Sequence, residues 1–205
     1  MKTLIFLSLL FVSKTLTAQM KLPEHSIQIV AGHSIHSTGD NKGLSFATGY
    51  EKYFRKNLSW TIAMGATIHD GASPLFYTDP GGHIQDGSFR YTTAGFQITG
   101  HAGYSFIRTS RHEFQFRAGG LVRFQSSSYF DEFGTLYPIA TGLPIPVSYF
   151  VNTTPQRTYA AGASLQLQYN FTFPNRLQLG FLAGFQMDTN GDNISQLSIM
   201  AGKRF

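Results

Sequence analysis

Apolar and polar residues alternate along most of this chain with a period of two, which is typical of β-strands. The clearest case has Trp60, Ile62 and Met64 on one face, with Ser59 and Thr61 on the other. Eight segments follow this pattern, near residues 26–36, 43–54, 58–69, 90–107, 113–125, 158–171, 177–187 and 193–205. The pattern therefore predicts an all-β fold of eight strands.

The connections between these segments alternate in length. Three short turns lie near residues 55–57, 108–112 and 172–176, and the other links lie at 37–42, 69–89, 126–157 and 188–193. This alternation is expected of an eight-stranded antiparallel up-and-down transmembrane β-barrel, in which both termini are periplasmic and the longer loops face outward.

The composition bears on which face of each strand is inside. A soluble sandwich or a lipocalin-like barrel would show the same period, because period two does not tell the inner face from the outer one. Only 13% of residues are charged and 15% are aromatic, whereas soluble domains carry about 25% charged residues. The polar face consists mainly of Gly, Ser, Thr, Gln and Asn, which suits a narrow lumen better than a water-facing surface. A membrane barrel is therefore favoured.

The N-terminus predicts export. Met1-Lys2 is followed by the apolar run 3–12 and by a short polar stretch ending at Ala18. This order is typical of a secretory signal peptide, so we expect a signal peptide at 1–18 and a barrel domain at 19–205. The chain contains no cysteine, which excludes a disulfide scaffold and a lipoprotein anchor. Its net charge of +5 is scattered, so nucleic acid is not an expected partner.

The last strand, 193–205, ends on Phe205 with Gly202 three residues before it. This ending resembles the C-terminal signal that hands outer-membrane barrels to the barrel-assembly machinery, although Lys203 replaces the usual second aromatic. The whole mature chain resembles the small eight-stranded outer-membrane barrels of the OmpA transmembrane-domain, OmpX and OmpW kind. The resemblance implies a place in the outer membrane, with membrane lipid, lipopolysaccharide and the assembly machinery as partners.

Five charged or titratable residues fall on the polar face of the strands and are expected in the lumen: Glu51, His101, Glu113, Arg117 and Arg123. Inside so narrow a barrel, charges must pair or meet water, because an unpaired buried charge costs several kcal/mol. We expect a polar network that closes the barrel. A proton or solute path is the alternative.

Two motifs indicate chemistry only weakly. His33, Ser34, His36, Ser37 and Asp40 offer the atoms of a lipid-hydrolysing set near the outer rim, but in no recognisable motif. Residues 188–193 imitate the opening of a calcium loop, yet the glycine and the bidentate glutamate of such a loop are missing, and an Asn-Gly turn explains them. We therefore expect no catalytic residue, metal or cofactor.

The two long links, about 70–89 and 126–157, are rich in aromatic and aliphatic residues, an unusual composition for loops left in water. They predict a docking surface for a partner protein, such as another outer-membrane protein, or for surface lipid. Its expected members are Leu75, Phe76, Tyr77, Tyr129, Phe130, Phe133, Tyr137, Ile145, Tyr149 and Phe150. The function predicted from sequence is thus a non-enzymatic outer-membrane barrel that docks a partner. The alternatives are a lipid A deacylase-like barrel enzyme and a narrow solute pore.

Overall fold

The structure is a computed structural model that describes residues 24–36, 41–78 and 81–205. The expected signal peptide at 1–18 lies outside these residues. The described part contains twelve strands and one short helix: β1 (His25–His36), β2 (Asn41–Tyr53), β3 (Leu58–Ser73), β4 (Phe76–Thr78), β5 (Ile84–Asp86), β6 (Phe89–Arg108), β7 (His112–Ser127), β8 (Glu132–Leu136), α1 (Pro138–Thr141), β9 (Val147–Val151), β10 (Gln156–Thr172), β11 (Leu177–Asp188) and β12 (Asn193–Arg204). No helix of this part is long and apolar enough to cross a membrane.

Eight of the strands form one closed antiparallel barrel, in the order β1, β12, β11, β10, β7, β6, β3, β2. Each strand pairs with its predecessor among the eight, and β1 closes the barrel against β12 from Ser26↔Arg204 to His36↔Ile194. The eight strands predicted from the period-two pattern are these eight, so the predicted fold is confirmed.

The two faces of the barrel differ sharply in chemistry. Among the described residues, buried side chains are mostly polar, and Val30, Leu182 and Met200 form a small apolar cluster inside. The outward side chains are aliphatic and aromatic along the strands, as at Ile29, Phe96 and Leu197. Water would not be a stable surrounding for such an exterior, whereas lipid is. The barrel is therefore of the transmembrane kind.

The two ends of the barrel differ as well. One end, here called the short-turn end, holds the turns after β2, β6 and β10 together with the end of β12. At the opposite end, here called the hairpin end, the adjacent strands β3, β6, β7 and β10 have 16 to 20 residues, against 12 or 13 in the other four. One side of the wall is thus taller and rises beyond the rest of the barrel.

The two long links are more ordered than the sequence pattern indicated. β4 and β5 form a two-stranded sheet within the first, and β8 and β9 form another within the second, with α1 at its tip. β3, β7 and β10 also extend farther than predicted, so β3 reaches Ser73 and pairs there with Phe89. The apolar alternation ends before these strands do, so the sequence pattern does not predict the taller wall.

A β-bulge changes the direction of one side chain. The register of β6 against β7 shifts between Ser105 and Ile107, so Phe106 and Ile107 both face outward. Arg108 consequently points into the barrel, where its guanidinium carbon lies 3.5 Å from the centre of the Tyr53 ring. The bulge thus adds a buried cation to the lumen.

Candidate functional site

The lumen near the short-turn end holds a first buried ion pair. Arg117 Nη2 lies 2.9 Å from Glu51 Oε2, and both side chains are almost fully buried. Glu51 also accepts hydrogen bonds from Ser59 Oγ at 2.7 Å and from Gln115 Nε2 at 2.8 Å. Since a buried carboxylate is stable only when its oxygens are paired, these contacts hold Glu51 ionised against Arg117.

A second buried group lies beside the first and is centred on Glu113. Its carboxylate accepts hydrogen bonds from Tyr53 at 2.5 Å, from Ser105 at 2.7 Å and from Arg204. Arg108 Nε lies 3.7 Å from the same carboxylate. Arg108 and Arg204 were not among the lumen residues predicted from sequence. Arg204 stood on the inner face of the pattern, but Arg108 is turned inward only by the bulge.

Arg123 lies in a separate group, nearer the hairpin end. It donates to Asp188 Oδ2 at 2.8 Å, to Gln186 Oε1 at 2.6 Å and to Gln97 Oε1 at 3.0 Å. His101, expected in the same network, instead lines a small cavity of about 40 Å³. Neither of its ring nitrogens has a hydrogen-bond partner among the described residues. The five predicted lumen residues are all buried, but they divide into these separate groups.

The predicted hydrolase atoms do not form one set. Ser34 Oγ is hydrogen-bonded to His69 Nε2 at 2.9 Å inside the barrel, whereas His33 faces outward. His36 instead approaches Asp192, with 3.4 Å between Nε2 and Oδ2. Ser37 and Asp40 lie outside the described residues. His69 Nδ1 has no hydrogen-bond partner in the described part of the chain, so no acid orients this Ser–His pair as in a catalytic triad.

Residues 188–193 form a tight turn. The backbone N–H groups of Asn190 and Asp192 donate to Asp188 Oδ1 at 3.0 and 3.2 Å, and Gly191 has a φ of 81°, which favours glycine. The other carboxylate oxygen of Asp188 accepts from Arg123. Turn and ion pair thus use the oxygens that a calcium loop would need. Within the described ranges, no cluster of three or more His, Asp or Glu residues could hold a metal ion.

A larger pocket opens at the hairpin end, between the taller wall and the turn after β11. Its volume is about 730 Å³, within the range of about 300–1,000 Å³ that is usual for ligand pockets. We call it the mouth pocket. It is lined by His36, Ala72, Ser73, Pro74, Tyr91, Gln125, Ser127, Tyr129, Gln156, Thr158, Asn190 and Asp192. The sequence pattern does not reveal this pocket, because its walls come from six separate stretches of chain.

Aromatic side chains pack together at the base of the β8–β9 hairpin. The Phe89 ring lies 5.1 Å from that of Phe130 and 4.9 Å from that of Phe150, and Tyr129 stacks on Phe130 at 4.2 Å. Phe133 joins the group at 5.1 Å from Phe150. We call these five residues the aromatic base. It anchors the hairpin to the start of β6, since such ring pairs contribute beyond their buried area.

Hydrogen bonds close the base of the same hairpin. The Asp131 carboxylate accepts from the Thr153 hydroxyl at 2.8 Å, from the Thr153 N–H at 3.0 Å and from the Thr154 N–H at 3.2 Å. These bonds, those from Thr153 first, lower the pKa of Asp131. Tyr149 donates to Glu132 Oε1 at 2.9 Å across the two strands. The hairpin is therefore held firmly at its root.

The tip of this hairpin, residues 136–146, is apolar and exposed. Ile139 is 99% exposed and Tyr137 is 64% exposed, and Leu136, Leu143 and Ile145 are exposed too. On the β4–β5 hairpin, Phe76 and Ile84 are exposed, Leu75 is half-buried, and the side chain of Tyr77 lies outside the described part. The ten residues predicted for docking therefore divide between the aromatic base, the exposed tip, the smaller hairpin and the cross-strand residue Tyr149.

The two residues expected in the assembly signal lie at the closure of the barrel. Phe205 and His25 exchange both backbone hydrogen bonds, at 3.0 and 3.2 Å, and their rings stack with centres 5.8 Å apart. A Cβ at Gly202 would lie 2.6 Å from the Ile27 carbonyl oxygen, so a larger residue would push β12 away from β1. Both residues help to join the last strand to the first.

No protein-family model matches the chain, and no curated protein matches its sequence. Solved structures do share its fold. Ail, the attachment invasion locus protein of Yersinia pestis, is 11% identical with a TM-score of 0.53, and the match covers 90% of this chain and 99% of Ail. Neisserial surface protein A is 13% identical with a TM-score of 0.55, and the match covers 88% of this chain and 97% of that protein. Ail in complex with the heparin analogue sucrose octasulfate is 10% identical with a TM-score of 0.52, and the match covers 90% of this chain and 99% of that one. The expected likeness to small outer-membrane barrels is thus confirmed for the fold.

Proposed function

We propose that this chain is a non-enzymatic outer-membrane barrel whose long hairpin docks a partner protein, most simply another outer-membrane protein. In this proposal, the hairpin end faces the cell exterior and both termini face the periplasm. The barrel-assembly machinery inserts the chain, and lipid and lipopolysaccharide surround it. The observation that carries the proposal is the apolar tip of the β8–β9 hairpin, which stands exposed on a firmly held root.

The distribution of apolar side chains within the hairpin supports docking over loop packing. A hairpin that only covered the barrel mouth would bury its apolar residues against the wall. Here Phe130 and Phe150 pack against Phe89, whereas Tyr137 and Ile139 at the tip are 64% and 99% exposed. Exposed apolar patches on a rigid support are characteristic of protein interaction sites.

The charges at the hairpin end favour a protein over a polyanion such as the phosphates of lipopolysaccharide. The exposed charged residues described there are the acids Asp70, Asp86, Asp131 and Glu132 and the bases Lys42, Arg90 and Arg157. Ail was solved with a sulfated heparin analogue, but likeness of fold does not transfer that ligand. A surface with four acids and three bases gives a polyanion little attraction.

The test is a pull-down of the tagged full-length chain from gently solubilised outer membranes. One variant replaces residues 137–146 by a Gly-Ser segment of equal length, which keeps β8, β9 and the aromatic base. The matched control replaces the exposed Arg55 and Lys56 by Ser in the turn after β2, at the short-turn end. We expect a stoichiometric outer-membrane protein with the wild type and the control, lost with the 137–146 variant. Absence of such a protein from all three samples would reject docking.

The lipid A deacylase alternative has one observation in its favour, the hydrogen bond between Ser34 Oγ and His69 Nε2. Both side chains face the lumen, so an acyl chain would have to enter the barrel to reach them. A lipid A mass profile that changes between wild type and Ser34→Ala would establish the enzyme. A solute pore would produce single-channel conductance in planar bilayers. The buried ion pairs argue against such a pore, because they fill the lumen.

A further inference from the structure

We propose that the mouth pocket binds the end of a neutral saccharide. The pocket is separate from the apolar hairpin tip, so this inference does not rest on the docking proposal.

The floor of the pocket contains a buried imidazole that lacks a full set of partners. His36 is only 4% exposed, and its Nδ1 has no hydrogen-bond partner among the described residues. Its Nε2 faces Asp192 Oδ2 at 3.4 Å, and Gln125 Nε2 donates to the same oxygen at 3.1 Å. Buried polar atoms are nearly always hydrogen-bonded. Nδ1 is enclosed in this conformation, so a ligand hydroxyl, which both donates and accepts, would reach it once the His36 ring turns toward the pocket.

The walls supply what a sugar ring needs around it. Neutral amides and hydroxyls line the pocket at Gln125, Ser127, Gln156, Thr158 and Asn190. Several already donate within the wall, as Gln156 Nε2 does to the Phe130 carbonyl at 2.9 Å and Asn190 Nδ2 to Thr158 at 3.2 Å. These bonds hold the two amide groups in place, and an amide oxygen is an acceptor that a sugar hydroxyl can use.

Two tyrosines complete the pocket. The rings of Tyr91 and Tyr129 meet edge to face with centres 4.8 Å apart, and the Tyr91 hydroxyl is fixed by Asn41 Oδ1 at 3.2 Å. An aromatic face offers apolar area to the C–H side of a sugar, while its hydroxyl serves the polar side. An acyl chain would leave these amides, hydroxyls and His36 without partners, so a lipid tail does not suit the pocket.

The charge of the lining disfavours an anionic ligand. The described lining contains no Lys or Arg, and Asp192 is its one carboxylate. An anion would therefore meet the Asp192 carboxylate and no Lys or Arg in the lining. A neutral, hydroxyl-rich ligand is the class that remains.

The experiment screens the purified full-length barrel in detergent on an array of neutral oligosaccharides and their sulfated counterparts. The affinity of the strongest neutral glycan is then measured by calorimetry for wild type and three variants. Asp192→Asn weakens the floor, Ser73→Trp fills the pocket without removing a floor group, and Asn190→Ala removes a wall amide. Asn175→Ala, in a turn at the opposite end, is the matched control.

We expect a neutral glycan to bind the wild type and Asn175→Ala equally. Asp192→Asn and Ser73→Trp should weaken it at least tenfold, and Asn190→Ala severalfold. Each variant is first checked for the heat-dependent gel mobility of a folded barrel. The proposal is overturned if no neutral glycan binds, if the sulfated counterparts bind better, or if folded Ser73→Trp binds like the wild type.

Discussion

The buried pair of Glu51 and Arg117 gives the most quantitative prediction. Glu51→Leu leaves Arg117 in the lumen without a carboxylate, and it also removes the acceptor used by Ser59 and Gln115. Removing one partner of a buried ion pair costs about 3–5 kcal/mol, because the remaining charge is neither hydrated nor paired. We therefore expect Glu51→Leu to lower the free energy of unfolding by about 4 kcal/mol.

Arg117→Leu should cost a similar amount. The double variant, Glu51→Leu with Arg117→Leu, should cost clearly less than the sum of the two, because it leaves no unpaired charge. The comparison is the exposed pair Asp70–Arg90, whose side chains are 47% and 77% accessible. Asp70→Asn should change stability by no more than about 1 kcal/mol, since solvent screens such a pair.

The assay is urea unfolding of the barrel in detergent micelles or lipid vesicles. Trp60, the one tryptophan of the chain, lies on the outer face and reports unfolding by fluorescence. Heat-dependent gel mobility gives an independent measure of the folded fraction. If Glu51→Leu falls within about 1 kcal/mol of wild type, or if the single costs simply add in the double variant, the lumen is hydrated and the network is not a closed plug.

Three further predictions concern the wall of the barrel. Gly119→Ala should destabilise the barrel by about 1–3 kcal/mol, because the added Cβ would lie 1.9 Å from the Gly100 carbonyl oxygen. A Cβ at Gly100 would meet nothing within 4 Å, so Gly100→Ala should be tolerated. Thermal melts compare the stabilities of the two variants. Met64→Arg, at an outward position in the middle of β3, should cost about 2–4 kcal/mol in bilayers, and an unchanged urea midpoint in vesicles would argue against a lipid-facing exterior. Phe205→Ala should reduce the heat-modifiable fraction of the protein in cell envelopes, since Phe205 stacks on His25 where β12 closes the barrel against β1. A heat-modifiable fraction equal to that of the wild type would show that Phe205 is not needed for assembly.

The strands and their faces could be predicted because each depends on local alternation alone. Ile27 and Ile29 lie outside and Gln28 inside, because successive side chains of a strand point to opposite faces of the sheet. Interior partners depend on the register between strands, so Ser34 could not be assigned to His69, which is 35 residues away.

The structure differs from the sequence-based prediction where the regular alternation along a strand is interrupted or where distant strands must pair. The sequence pattern predicts a turn at Arg108, because nothing in the sequence marks the bulge between Ser105 and Ile107. The sequence pattern predicts a loop where β8 and β9 form a hairpin, since Gly134 and nearby prolines obscure the two short strands. The mouth pocket needs the taller wall of β3, β6, β7 and β10, which only the complete pairing of these strands reveals.

Site-specific photocrosslinking in intact cells tests the docking account most directly. A benzophenone amino acid is placed at Tyr137 on the exposed tip and, as a control, at Thr109 in a turn at the opposite end of the barrel. We expect one discrete adduct with a single outer-membrane protein from position 137 and no such adduct from position 109. A chain that shows no adduct at 137, or the same adduct from both positions, would contradict the claim that this hairpin tip docks a partner.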